Sequence, residues 1–321
     1  MTDGFGRNIH YLRLSITDRC NLRCRYCMPE EVPFLPHEDI LRYEEMVRVC
    51  TAAARLGVDT VKVTGGEPLV RKGCAALVAA LKAVPGIRRV TLTTNGVLLA
   101  AQLPGLLAAG LDGVNVSLDT LDRDAYRRLT GRDELSRALD GLEAALAAGV
   151  RTKVNAVPLA ETGRQGLLEL AALAEARPLD VRFIELMPLG HGTDLAPFGQ
   201  EALLAALKER WPGLTPSAQR RGAGPARYWT APELKGAIGF ISAVSHEFCA
   251  SCNRVRLTSE GFFKPCLCYG GGVDLRGPLR GGISDADLEE LLRQAICSKP
   301  ARHSFGAGRA QDGRIMSQIG G

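Results

Sequence analysis

The stretch ITDRCNLRCRYCMPEE, residues 16–31, places three cysteines within eight positions directly after a strand-like run. Cys20, Cys24 and Cys27 are separated by three and two residues, and no fourth cysteine or suitably spaced histidine lies nearby in the sequence. A structural zinc site takes four protein ligands, whereas three thiols leave one iron of a cubane cluster without a protein ligand. The spacing therefore favours an iron–sulfur cluster, with zinc as the alternative.

Composition and charge limit the class of protein. The chain has 321 residues, of which 46% are hydrophobic and 23% charged, and its formal net charge is +5. These values are typical of a globular protein, and so mild a positive charge does not predict a nucleic-acid partner. No apolar stretch reaches the roughly 18 residues of a membrane span, and the N-terminus lacks the apolar core of a signal peptide. We therefore expect a cytoplasmic protein with no membrane and no nucleic-acid partner.

Most of the ten cysteines lie in two groups, which predicts metal binding because the cytoplasm keeps thiols reduced. The second group contains Cys249, Cys252, Cys266 and Cys268. On its own, this group would predict a zinc site, since it offers four thiols. Cys50, Cys74 and Cys297 lie outside both groups in helical patterns, and we expect them to be small buried residues.

Strand-like and helical patterns alternate up to about residue 190. The strand-like runs are YLRLSIT from Tyr11, VDTVKVTG from Val58, RRVTLTTN from Arg88, DGVNVSLD from Asp112, TKVNAVPL from Thr152 and DVRFIELMP from Asp180. Six strand–helix units predict an α/β protein with a parallel sheet, and the lack of a clean nucleotide fingerprint favours a partial (β/α)6 TIM-type barrel. Polar residues follow these runs, at the strand ends where barrel enzymes build their sites.

The second part of the chain has a different pattern. A stretch rich in Gly, Pro and Arg, residues 212–232, is the predicted linker, and short strand-like runs, the second cysteine group and a tail of little periodicity follow it. We therefore predict a barrel domain over residues 1–230 and a small C-terminal iron–sulfur domain over residues 231–321.

The motifs carry a family resemblance. Cys20, Cys24 and Cys27, with Tyr26 before the last thiol, resemble the signature of the radical S-adenosylmethionine (SAM) superfamily, and TGGEP from Thr64 resembles its SAM-binding motif. A narrower match runs in order along the chain through DRCNLRCRYCMP, TGGEPLVR, LTTNG, VNVSLD, VNAV, RFIELMP, FCASCNRVRLTSEG and the terminal Gly-Gly. This set resembles the MoaA family of GTP 3′,8-cyclases in molybdenum cofactor synthesis.

The resemblance implies two 4Fe-4S clusters and SAM as cofactors, and GTP as substrate. In that family an electron from the first cluster cleaves SAM, and the resulting 5′-deoxyadenosyl radical removes hydrogen from C3′ of GTP. The C3′ radical attacks C8 of guanine, and one electron and one proton complete (8S)-3′,8-cyclo-7,8-dihydroguanosine 5′-triphosphate. The implied partners are a reductant protein such as flavodoxin and the next pathway enzyme, cyclic pyranopterin monophosphate synthase; a homodimer is one option.

The same resemblance implies roles for single residues. The first cluster is bound by Cys20, Cys24 and Cys27, and the second by Cys249, Cys252 and Cys266, with Cys268 as a bystander. The SAM contacts are Tyr26, Gly66, Ser117 and Met187. The GTP contacts are Arg13, Lys62, Thr93, Lys153, Arg254, Val255 and Arg256. Without the family match, the glycines would predict a tight turn, Met187 a core residue, and each cation a solvated surface charge.

The terminal Gly320 and Gly321 belong to the active site by the same resemblance. Composition alone would predict a frayed end. Ile315, Met316 and Ile319 nevertheless give this segment apolar anchors. Our hypothesis is that the tail inserts into the barrel and assists SAM cleavage or radical placement.

The residues alone are compatible with two other functions. A different radical SAM enzyme with an auxiliary cluster, for example one that modifies a peptide, would share the first cysteine motif. The RVR segment after Cys252 and the terminal Gly-Gly argue against it. A non-enzymatic zinc or redox-binding module is the other alternative, because Cys268 could supply a fourth ligand.

Overall fold

The structure is a computed structural model that describes residues 1–28, 30–305, 312 and 314–320. In these ranges twelve strands form one sheet. The strands are β1 (Tyr11–Ser15), β2 (Thr60–Thr64), β3 (Arg89–Thr94), β4 (Gly113–Ser117), β5 (Thr152–Ala156), β6 (Asp180–Ile184), β7 (Thr215–Ser217), β8 (Arg227–Thr230), β9 (Ala237–Ile241), β10 (Arg254–Leu257), β11 (Phe262–Lys264) and β12 (Val273–Asp274).

Helices connect most of these strands. The α-helices are α1 (Tyr43–Arg55), α2 (Cys74–Lys82), α3 (Leu99–Ala108), α4 (Arg123–Thr130), α5 (Leu135–Ala147), α6 (Gly163–Ala176), α7 (Gln200–Arg210), α8 (Arg276–Arg280), α9 (Asp285–Cys297) and α10 (Met316–Ile319). Short 3-10 helices occupy His37–Asp39, Pro68–Val70, Ala160–Thr162, Gly190–Asp194 and Cys249–Ser251.

The sheet confirms the predicted fold class. Strands β1 to β6 are neighbours in chain order and pair in parallel, as expected for consecutive strand–helix units. The chain extends this sheet with β10 parallel to β1 and β9 parallel to β6. Antiparallel strands complete both edges, with β11 and β12 on one side and β8 and β7 on the other. Side chains from β1 to β6 line one interior cavity, so the sheet curves around it as a partial barrel.

Alternation along the strands separates the core from the barrel interior. In β2, which is buried along its whole length, Val61 and Val63 join the apolar core, while Lys62 and Thr64 line interior cavities. Outside the sheet, α1 buries Met46 and Val49, which are three residues apart and share one face of the helix. The apolar core therefore lies between sheet and helices, and the interior of the barrel is left for polar side chains.

Three sequence predictions need correction. The predicted linker at residues 212–232 contains β7 and β8, which pair antiparallel and extend the sheet, and the tail of little periodicity contains α9. Cys50 and Cys74 are buried as predicted, but Cys297 is exposed. It is the last residue of α9 and lies off the apolar face that buries Leu288, Leu292 and Ile296. In the described residues, no helix has the length and apolarity needed to span a bilayer.

Candidate active site

The first cysteine loop follows β1 and faces the interior of the barrel. Cys20, Cys24 and Cys27 line a cavity of about 300 Å³ together with Ser117 and Met187. We call this space the upper cavity, since it lies at the carboxyl ends of the parallel strands. The position matches the end of the barrel at which barrel enzymes carry out their chemistry.

The glycine motif after β2 holds this loop in place. The Gly66 N–H donates to the carbonyl of Thr17 at 2.7 Å, and the Glu67 N–H donates to the carbonyl of Arg19 at 2.8 Å. A Cβ atom on Gly66 would lie 2.5 Å from the Arg19 oxygen, so the two backbones can approach only without a side chain. The motif therefore positions the cysteine loop, in addition to any contact with a ligand.

Glu67 and Asn95 lie within the motifs TGGEPLVR and LTTNG, and no role was predicted for either residue. The buried Glu67 carboxylate accepts hydrogen bonds from the Asn95 N–H at 2.6 Å and the Thr94 hydroxyl at 2.8 Å. Burial raises the pKa of Glu67 to about 7 although these hydrogen bonds oppose the shift. The Asn95 side-chain amide donates to Asn21 at 2.8 Å and lies 3.8 Å from the Cys20 sulfur. This network ties the ends of β2 and β3 to the cysteine loop. The signal in the sequence that could have indicated these two residues is that polar residues directly follow buried strands.

All four predicted SAM contacts, Tyr26, Gly66, Ser117 and Met187, line the upper cavity. The Tyr26 hydroxyl donates to Asp119 at 2.7 Å, and the same carboxylate accepts the Val157 N–H at 2.8 Å. The Tyr26 side chain is thereby held by Asp119, which follows β4 and is itself bound by the backbone after β5.

The chemistry of the first three thiols fits a bound metal cluster. Burial raises the pKa of Cys20 to about 11 and that of Cys27 to about 12. Both thiols would therefore stay neutral near pH 7 without a cation, and a metal that binds thiolates would supply the missing positive charge.

The second cysteine group lines the same upper cavity from the other side, with Cys249, Cys252, Cys266 and Cys268 all facing it. Burial opposes ionisation of Cys252, but the positive charges of Arg254 and Lys299 outweigh burial and lower its pKa to about 7. Cys268 is buried and interacts with Ser304. The two groups of thiols thus face each other across one interior space.

The distances between the sulfur atoms help to decide between a zinc ion and an iron–sulfur cluster. A zinc ion about 2.3 Å from each sulfur would hold the sulfurs about 3.8 Å apart. Among the described residues, only one set of three ligand-type side chains has all its ligand atoms within 4.8 Å of one another. That set is Glu247, Cys249 and His303. The sulfurs of each cysteine group are therefore farther apart than one zinc ion requires, and their spacing fits a larger cluster better.

Predicted GTP contacts lie on adjacent strands in a row. Arg256 on β10, Arg13 on β1 and Lys62 on β2 are register partners. Burial, followed by the charges of Arg13 and Arg254, holds the pKa of Arg256 well below its ordinary value. Burial likewise holds the pKa of Lys62 well below its ordinary value, and Arg182 lowers it further. This concentration of buried positive charge would be stabilised by a polyanion.

The polar residues among the predicted GTP contacts divide between two cavities. Arg13, Thr93 and Arg256 line the upper cavity, whereas Lys62 and Lys153 line a second one of about 1210 Å³ at the opposite ends of the strands, and Arg254 lines both. We call this second space the lower cavity. Arg182 on β6 also lines it and was missed, although its alternation with the outward-facing Val181 and Phe183 predicts an inward side chain.

Val255 does not join the other predicted GTP contacts. Its side chain is buried in the apolar core on the outer side of β10. Alternation along the strand explains this, because Arg254 and Arg256 take the inner face. Only the backbone of Val255 is left to contact a ligand in the barrel.

The C-terminal tail lies inside the barrel. The Gly320 carbonyl accepts hydrogen bonds from Arg13 at 3.1 Å and from Arg256 at 3.3 Å. Ile319 is buried, and Met316 lines the upper cavity beside the thiols. The tail therefore reaches the predicted substrate cations directly; Gly321, the other predicted active-site glycine, lies outside the described residues.

Family profiles, curated proteins and a solved structure all show similarity to this chain. The profile of the Radical SAM superfamily matches residues 14–174, and that of Molybdenum Cofactor Synthesis C matches residues 179–305. Curated proteins named GTP 3′,8-cyclase are 45% identical over 327 residues in Moorella thermoacetica and 46% over 328 residues in Heliobacterium modesticaldum, each alignment covering 100% of both chains. The solved structure of Streptococcus suis SuiB bound to S-adenosylmethionine shares the fold, with a TM-score of 0.63 and 17% identity over 91% of this chain and 68% of that one.

Proposed function

Because the chain belongs to the MoaA family of GTP 3′,8-cyclases, radical SAM enzymes of molybdenum cofactor synthesis, we propose that its barrel binds SAM and GTP between two iron–sulfur clusters. The enzyme joins C3′ of GTP to C8 of guanine, which gives (8S)-3′,8-cyclo-7,8-dihydroguanosine 5′-triphosphate. One observation supports the arrangement above all others: two groups of thiols and the side chains of Arg13, Arg254 and Arg256 border the same interior space.

The first cluster would be held by Cys20, Cys24 and Cys27, and a reduced 4Fe-4S cluster with SAM bound supplies the radical chemistry of this family. Tyr26, Gly66, Ser117 and Met187 would hold SAM, since they surround the cavity next to these thiols. The walls of the barrel exclude water from the reacting atoms and hold the two ligands close together.

The row of cations would hold the triphosphate. Arg13 and Arg256 are neighbours across β1 and β10, and Arg254 lies one inward position before Arg256. Guanidinium groups bind phosphate oxygens in pairs, so this row can fix the phosphates while the nucleoside points toward the upper cavity. Lys62 and Lys153 would contact the phosphates from the side of the lower cavity, and Thr93 the nucleoside.

The second cluster would be held by Cys249, Cys252 and Cys266, with its open iron directed to the guanine base. Replacing Cys252 by Ala is expected to spare part of the SAM cleavage, to stop cyclisation and to remove about four irons per chain, since the first cluster stays intact. Iron analysis after anaerobic reconstitution, together with chromatography of 5′-deoxyadenosine, measures these effects.

Cys268→Ala is the matched control, because this thiol faces the same cavity and should keep the full iron content. Loss of iron in Cys268→Ala would show four thiol ligands, and the open iron for guanine would then be absent.

Replacing Arg13, Arg254 or Arg256 by Ala is expected to weaken GTP binding by about 1.5–3 kcal/mol each, the contribution of charge-assisted hydrogen bonds. This corresponds to roughly 10- to 150-fold in Kd. Affinity for SAM should hardly change. Equilibrium binding of both ligands to the anaerobic enzyme measures the difference, with Arg25→Ala as a control, since Arg25 is exposed and paired with Glu161. Equal losses for GTP and SAM would show that these arginines support the fold instead.

The activity itself is tested by anaerobic incubation of the reconstituted enzyme with SAM, a reductant and GTP. We expect 5′-deoxyadenosine and a cyclised nucleotide of the same mass as GTP, identified by chromatography and mass spectrometry. Cleavage of SAM without any change in GTP would direct the search to another substrate.

The cellular setting follows from the reaction. We place the enzyme in the cytoplasm, with a reductant protein such as flavodoxin as electron donor and cyclic pyranopterin monophosphate synthase as the consumer of the product. A homodimer, and the division into a barrel domain over residues 1–230 and an iron–sulfur domain over residues 231–321, stay predictions.

A further inference from the structure

The lower cavity opens at the end of the barrel away from the cysteine loop, and one loop covers it. This segment, residues 218–226, joins β7 to β8 and lines the cavity along its whole length. We call it the basal loop. The lower cavity is four times as large as the upper one, about 1210 Å³ against 300 Å³. The upper cavity is bordered by both cysteine groups and by the tail, whereas the basal loop lines only the lower cavity.

Positive charge dominates this space. Arg151, Arg182, Arg220, Arg221, Lys62 and Lys153 all line the lower cavity. A concave surface of one charge concentrates ligands of the opposite charge and accelerates their association. The cavity is therefore suited to a polyanion such as a nucleoside triphosphate.

The basal loop is fastened to the barrel by a buried carboxylate. Asp180, at the start of β6, accepts hydrogen bonds from Lys153 at 2.6 Å and from Arg221 at 2.8 Å. Lys153 also donates to the backbone carbonyl of Arg221, and Arg151 donates to the same oxygen at 2.6 Å. Arg221 thus joins the loop to β5 and β6 through both its side chain and its backbone.

A second attachment connects the loop with the other half of the site. The side-chain amide of Asn253 donates to the Ala223 carbonyl at 3.0 Å. Asn253 lies between Cys252 and Arg254, which we assign to the second cluster and to GTP. The closed loop therefore contacts both sides of the proposed nucleotide site.

We propose that the basal loop is the gate through which the nucleoside triphosphate enters and its cyclised product leaves, and that Asp180 and Arg221 form its latch. The inference rests on the assignment of Lys153 to GTP made above. The Asp180 carboxylate holds both Lys153 and Arg221. A triphosphate competes with Asp180 for Lys153 alone, so the pair of Asp180 with Arg221 still holds the gate while the nucleotide is bound.

The charges define positioning roles for Asp180 and Arg221. Asp180 keeps the buried ammonium of Lys153 paired and directed inward when no phosphate is present, which avoids an unpaired buried charge. The ring and hydroxyl of Tyr228 support the same ammonium, with the hydroxyl 2.8 Å away. Arg221 ties the gate to this pair and needs no contact with the nucleotide.

The test compares two adjacent arginines in the reconstituted holoenzyme. Arg221→Ala removes the latch, Arg221→Lys retains an ammonium for Asp180, and Arg220→Ala removes one positive charge from the same cavity. Arg220 is exposed and has no ion pair with any residue that the structure describes, which makes it a matched control. The enzyme is loaded with radiolabelled GTP without SAM, and release is followed during a chase with excess unlabelled GTP. Iron content and SAM affinity check that each variant is folded.

Arg221→Ala is expected to release GTP about tenfold faster, as the loss of one charge-assisted hydrogen bond implies, with a smaller change in Kd because association also accelerates. Arg221→Lys and Arg220→Ala should release GTP within about twofold of the unchanged enzyme. Equal release rates in Arg221→Ala and Arg220→Ala would overturn the gate. An unchanged enzyme that does not bind GTP at all would instead overturn the proposed GTP site.

Discussion

Replacing Cys24 by Ala is expected to abolish 5′-deoxyadenosine formation, the largest effect that the structure predicts. Cys24 lies between the other two thiols of the loop in sequence, and its pKa is raised well above the ordinary value by burial and then by Cys27. Without the Cys24 thiol, the first cluster would have only two protein ligands, and the open iron that binds SAM would lose its defined position. Anaerobic reconstitution with iron and sulfide, followed by chromatography of SAM products, measures the loss.

Cys297→Ala is the matched control for Cys24→Ala. It also removes one thiol, but Cys297 is exposed at the end of α9 and belongs to neither cysteine group. Iron content and SAM cleavage should both stay at the level of the unchanged enzyme. SAM cleavage at the normal rate in Cys24→Ala would contradict the assignment of the loop to a catalytic cluster, and with it the proposed site.

The sequence predicted the barrel because strand alternation and helix periodicity are local signals. In β2, every second residue from Val61 is apolar, and this pattern is visible in the letters alone. The inward direction of Lys62 and Arg254 follows from the same alternation. Local patterns therefore predicted both the strands and which side chains face the barrel.

Other features depend on contacts between distant parts of the chain. Nothing near Asp180 in the sequence indicates its pairing with Arg221, because the pair forms only when β6 and the basal loop pack together. Glu67 and Asn95 belong to quoted motifs, yet their joint support of the cysteine loop depends on the neighbouring ends of β2 and β3. Cys297 was mispredicted because it was expected to be buried from its place in a helical pattern alone, whereas the face set by Leu288, Leu292 and Ile296 leaves it outside the core.

Both local sequence patterns and contacts with distant residues are needed to explain the position of the tail. Its apolar residues suggested anchoring, whereas its glycine content suggested a frayed end. The structure gives the physical reason for the glycine: Gly320 has a φ of +83°, and a Cβ atom would lie 2.8 Å from the Ser15 Cβ and 3.0 Å from Thr64. Residues of β1 and β2 thus leave room for backbone alone at this point of the barrel interior.

Replacing Gly320 by Ala, or deleting Gly320 and Gly321, is therefore expected to lower turnover about 100-fold, since displacement of a positioning group by about 1 Å has effects of this size. GTP affinity should stay nearly unchanged, because the guanidinium groups of Arg13 and Arg256, which bind the Gly320 carbonyl, stay in place to bind phosphate. Single-turnover formation of 5′-deoxyadenosine, measured beside equilibrium binding of GTP, separates these two quantities.

Gly149→Ala provides the matched control for Gly320→Ala. Gly149 also has a positive φ, +67°, but a Cβ atom there meets nothing within 4 Å and the residue lies far from the thiols in sequence. This substitution carries the same backbone strain, about 1 kcal/mol, without a clash in the barrel. Normal turnover in Gly149→Ala with a large loss in Gly320→Ala would assign the effect to the position of the tail. A truncated enzyme that cyclised GTP at the normal rate would instead show that the Gly320 carbonyl, although bound by two arginines, contributes nothing to the reaction.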